Sequence, residues 1–178
     1  MQFRCIAVYT DQPDIMCITE TWLTTTVSDA MINGKGNYKV FRTDRTSDGG
    51  GVLILCKINP SYKQTVEQIF PADKYQTLET VIVAVSVGDD IIRLITVYRP
   101  SKYTVNGLTN ASLLADLLAD VIKVDCSCCV IGDFNFPKVN WVDLTYPSES
   151  VRDVIVNCFI KAEFNQVVDF PTRNYANS

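Results

Sequence analysis

Val130-Ile131-Gly132-Asp133-Phe134-Asn135 carries an apolar strand straight into a loop that holds a carboxylate and a carboxamide two residues apart. An apolar strand opening into Gly-Asp-Phe-Asn reads as one wall of a site that cleaves phosphoesters. Asp133 is suited to hold or activate a water, and Asn135 to hydrogen-bond a phosphoryl oxygen. Residues i and i+2 of an extended backbone point to the same side, so the pair is expected on one face. An Asx turn ending the strand is the structural alternative.

Two other apolar runs end in the same manner. In Ile18-Thr19-Glu20-Thr21-Trp22 a carboxylate emerges directly from a strand. Such a group is a natural ligand for Mg²⁺, which takes one or two protein carboxylates together with water and phosphate oxygens. Thr96-Val97-Tyr98-Arg99-Pro100 brings a phenol and a guanidinium to a strand edge. Arginine matches phosphate with a fork of donors, and tyrosine adds one directional hydrogen bond.

The chain has 178 residues, 47% hydrophobic and 20% charged, the balance of one domain with a substantial core. The net charge is −4, and the pI near 4.8 argues against a broad basic field for nucleic acid. Contact with nucleic acid would therefore be local; Arg42, Arg45, Arg99, Lys102 and Lys138 lie near the candidate segments and could serve, scattered surface charge being the commoner explanation of such residues. No stretch approaches the ~18 to 20 apolar residues of a membrane span. The first residues reach Asp11 after too short an apolar run for a signal peptide, and seven cysteines is an odd number. The expectation is an intracellular, reduced chain with buried free thiols. Cys126-Ser127-Cys128-Cys129 lacks a second paired cluster and reads as part of a core strand rather than a zinc site.

Continuous rather than alternating apolar runs, at Asp14–Ile18, Gly51–Cys56, Thr80–Val87, Ile91–Val97 and Cys128–Ile131, predict strands covered on both faces. Gly88-Asp89-Asp90 is a turn short enough to make its flanking strands antiparallel neighbours. Phe3, Ile6, Ala7 and Thr10 have helical spacing. Asn110 can cap a helix with a stripe of Leu113, Leu114, Leu117, Leu118, Val121 and Ile122, with Asp116, Asp120 and Lys123 facing away. Ser150 can cap a second, bearing Val151, Val154, Ile155, Cys158, Phe159 and Ala162 on one face. Buried strands flanked by one-sided helices make a layered α/β sandwich. Ser47-Asp48-Gly49-Gly50-Gly51 is a loop entering a strand, and without a following Lys-Ser/Thr it is no P-loop.

Together these residues resemble the endonuclease/exonuclease/phosphatase superfamily, and within it the endonuclease-like domain of non-LTR retrotransposons. The matching stretches are Pro13–Leu23, Arg42–Arg45 with Gly49–Val52, Val97–Pro100, Ile131–Asn135 with Trp141, and Phe164–Val168 with Pro171–Asn174. They come in family order and cover nearly the whole chain. The resemblance implies a four-layer, DNase I-like α/β sandwich with mixed central sheets flanked by helices, acting on DNA phosphodiesters with Mg²⁺. It assigns Glu20 to the metal, Tyr98, Asp133 and Asn135 to catalysis, and Arg99, Arg45 and Asn135 to phosphate.

Family members begin with a strand bearing an asparagine and continue into strands carrying Leu-Asp-Leu and Ser-Asp-His. Residues 1–178 are therefore expected to form a partial domain, without that first strand and without the C-terminal Asp and His strands. The chain contains no histidine. Positioned acid-base groups contribute roughly 10²- to 10⁴-fold, so little or no nuclease turnover is expected. Two alternatives keep the same fold: a noncatalytic DNA-contact or protein-interaction module using Arg42, Arg45, Arg99 and Lys102, and a phosphatase for a phosphorylated lipid or small molecule.

Overall fold

The computed structural model describes residues 12–33, 37–45, 49–58, 64–69, 75, 78–100, 104–105, 108–122, 126–136, 139–143, 145 and 150–168. Its elements run β1 (Ile15–Thr19), α1 (Asp29–Asn33), β2 (Tyr38–Thr43), β3 (Val52–Lys57), β4 (Gln64–Ile69), β5 (Glu79–Val87), β6 (Asp90–Tyr98), β7 (Thr104–Val105), β8 (Leu108–Thr109), α2 (Asn110–Ile122), β9 (Ser127–Asp133) and α3 (Ser150–Lys161). The helical spacing over Phe3–Thr10 lies outside the described residues, as do Lys102, Lys138 and Pro171–Asn174.

Two sheets form the centre. One is antiparallel, ordered β1-β3-β2. The other is mixed, ordered β4-β5-β6-β9, antiparallel throughout except for the parallel pair β6–β9. Gly88-Asp89 closes the β5–β6 hairpin, with Val87 opposite Asp90, as the short turn requires. The parallel pair is joined through α2, the kind of long crossover that parallel neighbours need.

The continuous apolar runs follow from burial on both faces. Along β3, Val52, Ile54 and Cys56 point between the sheets, where they meet Val81, Val83, Val85 and Leu94. The alternate residues Leu53 and Leu55 point the other way, into a cluster with Leu23, Tyr38, Val27 and Ile32. On the far side of the mixed sheet, Ile82, Ile95 and Val97 pack against α2 and α3 through Leu114, Leu117, Leu118, Ile155 and Phe159. The result is four layers: one of α2 with α3, the two sheets, and an outer layer made of the 20–28 segment with α1. Asp116 and Asp120 of α2 face outward as their spacing predicts.

The expected two-sided cover is incomplete in the edge strands β1 and β9, where Ile15 and Ile131 are 38% and 39% exposed, and at the start of β6. Ile91 and Ile92 are 47% and 44% exposed. They lie next to the hairpin tip, and neither sheet-facing cluster includes them. The run of apolar residues along β6 is longer than the surface available to cover it.

Candidate active site

β1, β2, β6 and β9 run so that their C-terminal ends meet the starts of β3 and β5. Thr19 and Thr43 both pair with Val52, Glu79 pairs with Tyr98, and Tyr98 pairs with Asp133. One end of the sandwich therefore collects the polar residue that terminates each apolar run.

At the exit of β1 the chain turns sharply. Glu20 and Trp22 have φ of 53° and 55°, left-handed values that bulky residues rarely adopt. Thr21 and Trp22 nonetheless extend the ladder, donating N–H to the Gly51 and Gly50 carbonyls at 3.3 and 2.9 Å. Gly49, Gly50 and Gly51 all have φ between 74° and 85°. A Cβ at Gly51 would stand 2.5 Å from Thr21 Oγ1, so the close approach of the two segments requires glycine.

Tyr98 follows Leu94 and Thr96 on the face of β6 that looks between the sheets, which aims its phenol at the β1 exit. Its hydroxyl donates to Glu20 Oε1 at 2.6 Å across 78 residues of sequence. The Arg45 guanidinium carbon lies 5.7 Å from the centre of the Tyr98 ring. Arg45 donates through Nε to Glu79 Oε1 at 2.9 Å, with a second contact from Nη2, and Glu79 Oε2 accepts the Gly51 N–H at 2.6 Å. Glu20, Tyr98, Arg45, Glu79 and the glycine loop thus form one connected chain.

Burial first, then the hydrogen bond to Glu20 and its negative charge, push the Tyr98 phenol up to about 12, with Arg45 opposing. The phenol remains a donor across the physiological range. Because the folded pKa exceeds the unfolded value of 10.0, this group's contribution to stability is intact below pH 10 and lost as pH rises towards 12. Burial also raises the Tyr38 phenol, so an alkaline titration followed at the phenolate absorbance should show late-ionising tyrosines whose amplitude Tyr98→Phe reduces by one group. An unchanged titration in that variant would contradict the assignment.

Asp133 closes β9, and Asn135 does not continue it. Asn135 has φ 51°, and its N–H donates to Asp133 Oδ1 at 2.9 Å, an Asx turn. This corrects the expectation of extended backbone with both side chains on one face. Asparagine is among the few residues that enter the left-handed region at modest cost, and the Asp133 carboxylate rewards the turn. The Asn135 amide donates to the Arg99 carbonyl at 2.7 Å.

Arg99 returns the contact. Its Nε and Nη2 donate to the Phe134 and Asn135 carbonyls at 2.6 and 2.8 Å, and its guanidinium sits 4.0 Å from the Phe136 ring centre. The fork that the sequence assigned to phosphate here holds the Gly-Asp-Phe-Asn loop. Arg42 is likewise engaged, with Asp29 at 2.9 Å, Asp44 at 3.2 Å and the Val27 carbonyl at 2.6 Å.

Sequence reading missed Glu79 and Thr21. The available signal was a carboxylate at the start of an apolar run, the mirror of Glu20 at the end of one. A shallow hollow lined by Asp89, Asp90, Ile91, Cys126 and Ser127 lies at the opposite end of the same strands and contains none of these groups.

Residues 6–173 match the model of the Endonuclease/Exonuclease/phosphatase family, and the chain belongs to that family. Among solved structures it is similar to a 3′ phosphatase, NExo, from Neisseria bound to a product DNA hairpin: TM-score 0.59, 16% identity, 88% of this chain and 63% of that one. It also resembles the NExo 3′-5′ exonuclease from Neisseria meningitidis, with TM-score 0.57, 15% identity, and 88% and 64% covered. An AP endonuclease from Archaeoglobus fulgidus gives TM-score 0.52, 16% identity, and 86% and 62% covered. At these identities the likeness is one of fold. The chain spans less than two thirds of the length of each. No curated protein matches it in sequence.

Proposed function

We propose that this chain carries the metal- and phosphate-handling half of a DNA phosphodiesterase site of the retrotransposon-endonuclease type, and that by itself it turns over slowly or not at all. The observation that supports this most is the hydrogen bond from Tyr98 to Glu20, which joins two strand ends 78 residues apart, with Asp133 in register beside Tyr98. The retrotransposon branch is favoured by the sequence Val97-Tyr98-Arg99-Pro100 and by Pro171-Thr172-Arg173.

Among the described residues no three His, Cys, Asp or Glu side chains form a cation cage. Glu20 fits Mg²⁺ in the manner usual for that ion, one exposed carboxylate with the remaining positions left to water and phosphate. Its Oε1 is oriented by Tyr98. Bound there, the ion would supply positive charge to a phosphate oxygen. Tyr98 keeps its proton and directs Glu20. Asp133 offers a carboxylate to an incoming water while its Oδ1 fixes the turn. Asn135 borders the same loop. Arg45 places a cation beside Tyr98, although Glu79 neutralises much of it.

No imidazole is available in this chain to handle the reacting proton. Against the background of a supercoiled plasmid and Mg²⁺, the expected result is binding with little nicking, weakened by Glu20→Ala and Asp133→Ala. Vigorous nicking that both variants abolish would overturn the slow-turnover proposal. Binding indifferent to both variants would overturn the site.

A further inference from the structure

Trp22 is 62% exposed and stands two residues beyond Glu20. Isolated exposed apolar residues are common and need no explanation. Trp22 differs in two respects. Its backbone is held in the left-handed region at φ 55°, a conformation that is a genuine outlier for a bulky residue and that costs on the order of 1–3 kcal/mol when retained. Its ring is also seated: Cζ2, Cε2 and Cη2 lie 3.7 to 4.0 Å from where a Gly49 Cβ would stand.

The strain is maintained by ladder contacts. Thr21, 1% exposed, plugs the space beneath, its Oγ1 accepting the Leu23 N–H at 3.3 Å. The Trp22 N–H is tied to the Gly50 carbonyl at 2.9 Å. Gly51, next in that loop, is tied to Glu79, which also holds Arg45. The indole is therefore mounted on the same scaffold that orients Tyr98 and Glu20, while most of its surface remains open to solvent.

We propose that Trp22 is a specificity-determining residue of this site, a stacking platform for an unpaired nucleobase next to the phosphate that a cation on Glu20 would hold. The inference rests on the phosphodiesterase reading above. Aromatic side chains bind bases through their π faces without regard to sequence, and a base must be unpaired to offer a free face. A phosphate at the Glu20–Tyr98 end leaves its own or the adjoining base within reach of the rim. The acidic chain lacks a broad positive field, so stacking would provide binding that phosphate contacts do not.

The experiment compares binding of fluorescein-labelled oligothymidylate and of an abasic oligomer of equal length by anisotropy in Mg²⁺, for wild type, Trp22→Ala, Trp22→Phe and Glu20→Ala. Trp22→Ala should weaken oligothymidylate roughly tenfold, with Trp22→Phe close to wild type. The abasic oligomer should bind wild type and Trp22→Ala alike. In a Trp141→Phe background the remaining indole emission should be quenched by oligothymidylate and not by the abasic strand. If Glu20→Ala weakens binding while Trp22→Ala does not, the platform is wrong and the phosphate site stands. If no oligomer binds any variant, both are overturned. Equal loss with both oligomers in Trp22→Ala would mean that the indole supports the loop alone, and would also overturn the platform.

Discussion

Gly132→Ala should destabilise this chain by about 3 kcal/mol or more, at or beyond the upper end of ordinary overpacking. The added Cβ would stand 1.9 Å from the Val97 carbonyl oxygen, 2.8 Å from its carbon and 3.0 Å from its nitrogen. All three are backbone atoms of the neighbouring strand, so no side chain can swing aside. The strands must separate at the register pair Val97↔Gly132, immediately before Tyr98↔Asp133. For a chain of this length each kcal/mol lowers Tm by roughly 2–4 °C, so a fall of about 10 °C is expected. Far-UV circular dichroism melts would test it. A variant melting within a couple of degrees of wild type would show that β6 and β9 are not so closely spaced. Gly132 sits at an exposed position, so the effect cannot be inferred from burial.

Arg99→Ala should be the most damaging charge deletion at the site. It removes donors from the Phe134 and Asn135 carbonyls and the stack on Phe136. Hydrogen bonds from a charged donor contribute roughly 1.5–3 kcal/mol each, and a partly buried cation–π contact about 1–2. These overlap, and a net loss of about 3–4 kcal/mol is expected. Arg99→Lys should fall between, because an ammonium cannot span two carbonyls as the planar fork does. Oligonucleotide binding should fall in Arg99→Ala at least as far as in Asn135→Ala, since the arginine positions the loop that carries both Asp133 and Asn135. Denaturant titration reads the first effect and anisotropy the second. Preserved stability with lost binding would instead make Arg99 a direct phosphate ligand.

β3, β5 and most of β6 were legible because both of their faces are covered, which makes the apolar signal continuous; the edge strands β1 and β9 were legible from equally apolar runs although their residues are only partly buried. β2 and β4 were not. Tyr38-Lys39-Val40-Phe41-Arg42-Thr43 breaks its pattern with Lys39 and Arg42, and the latter is held by Asp29 and Asp44 rather than by water alone. Gln64–Ile69 lies at the end of its sheet with only Val66 and Ile69 apolar. At the candidate site, Glu20, Tyr98 and Asp133 could be named as candidates because each ends or directly follows a strand. Asn135 was a candidate whose backbone was not foreseen: the left-handed turn depends on a carboxylate two residues earlier and on the Arg99 carbonyl, 36 residues away. Glu79 was invisible for a related reason. Its partners Arg45 and Gly51 lie 34 and 28 residues away, joined only by sheet register.

The parallel pairing of β6 with β9 also bears on the order of folding. Arg99 reaches Phe134 across 35 residues, Tyr98 reaches Glu20 across 78, and loops of that size are closed late. A nascent chain can form the β5–β6 hairpin and still possess no Asp133 beside Tyr98. Until α2 folds over and β9 docks, the β6 edge stays open to other strands. A ligand of the proposed site would therefore bind only once β9 has docked beside β6, and adding it should pull that step forward by mass action. On the proposed function, a phosphodiester oligomer would then serve as a conformational probe, reporting whether β9 has docked.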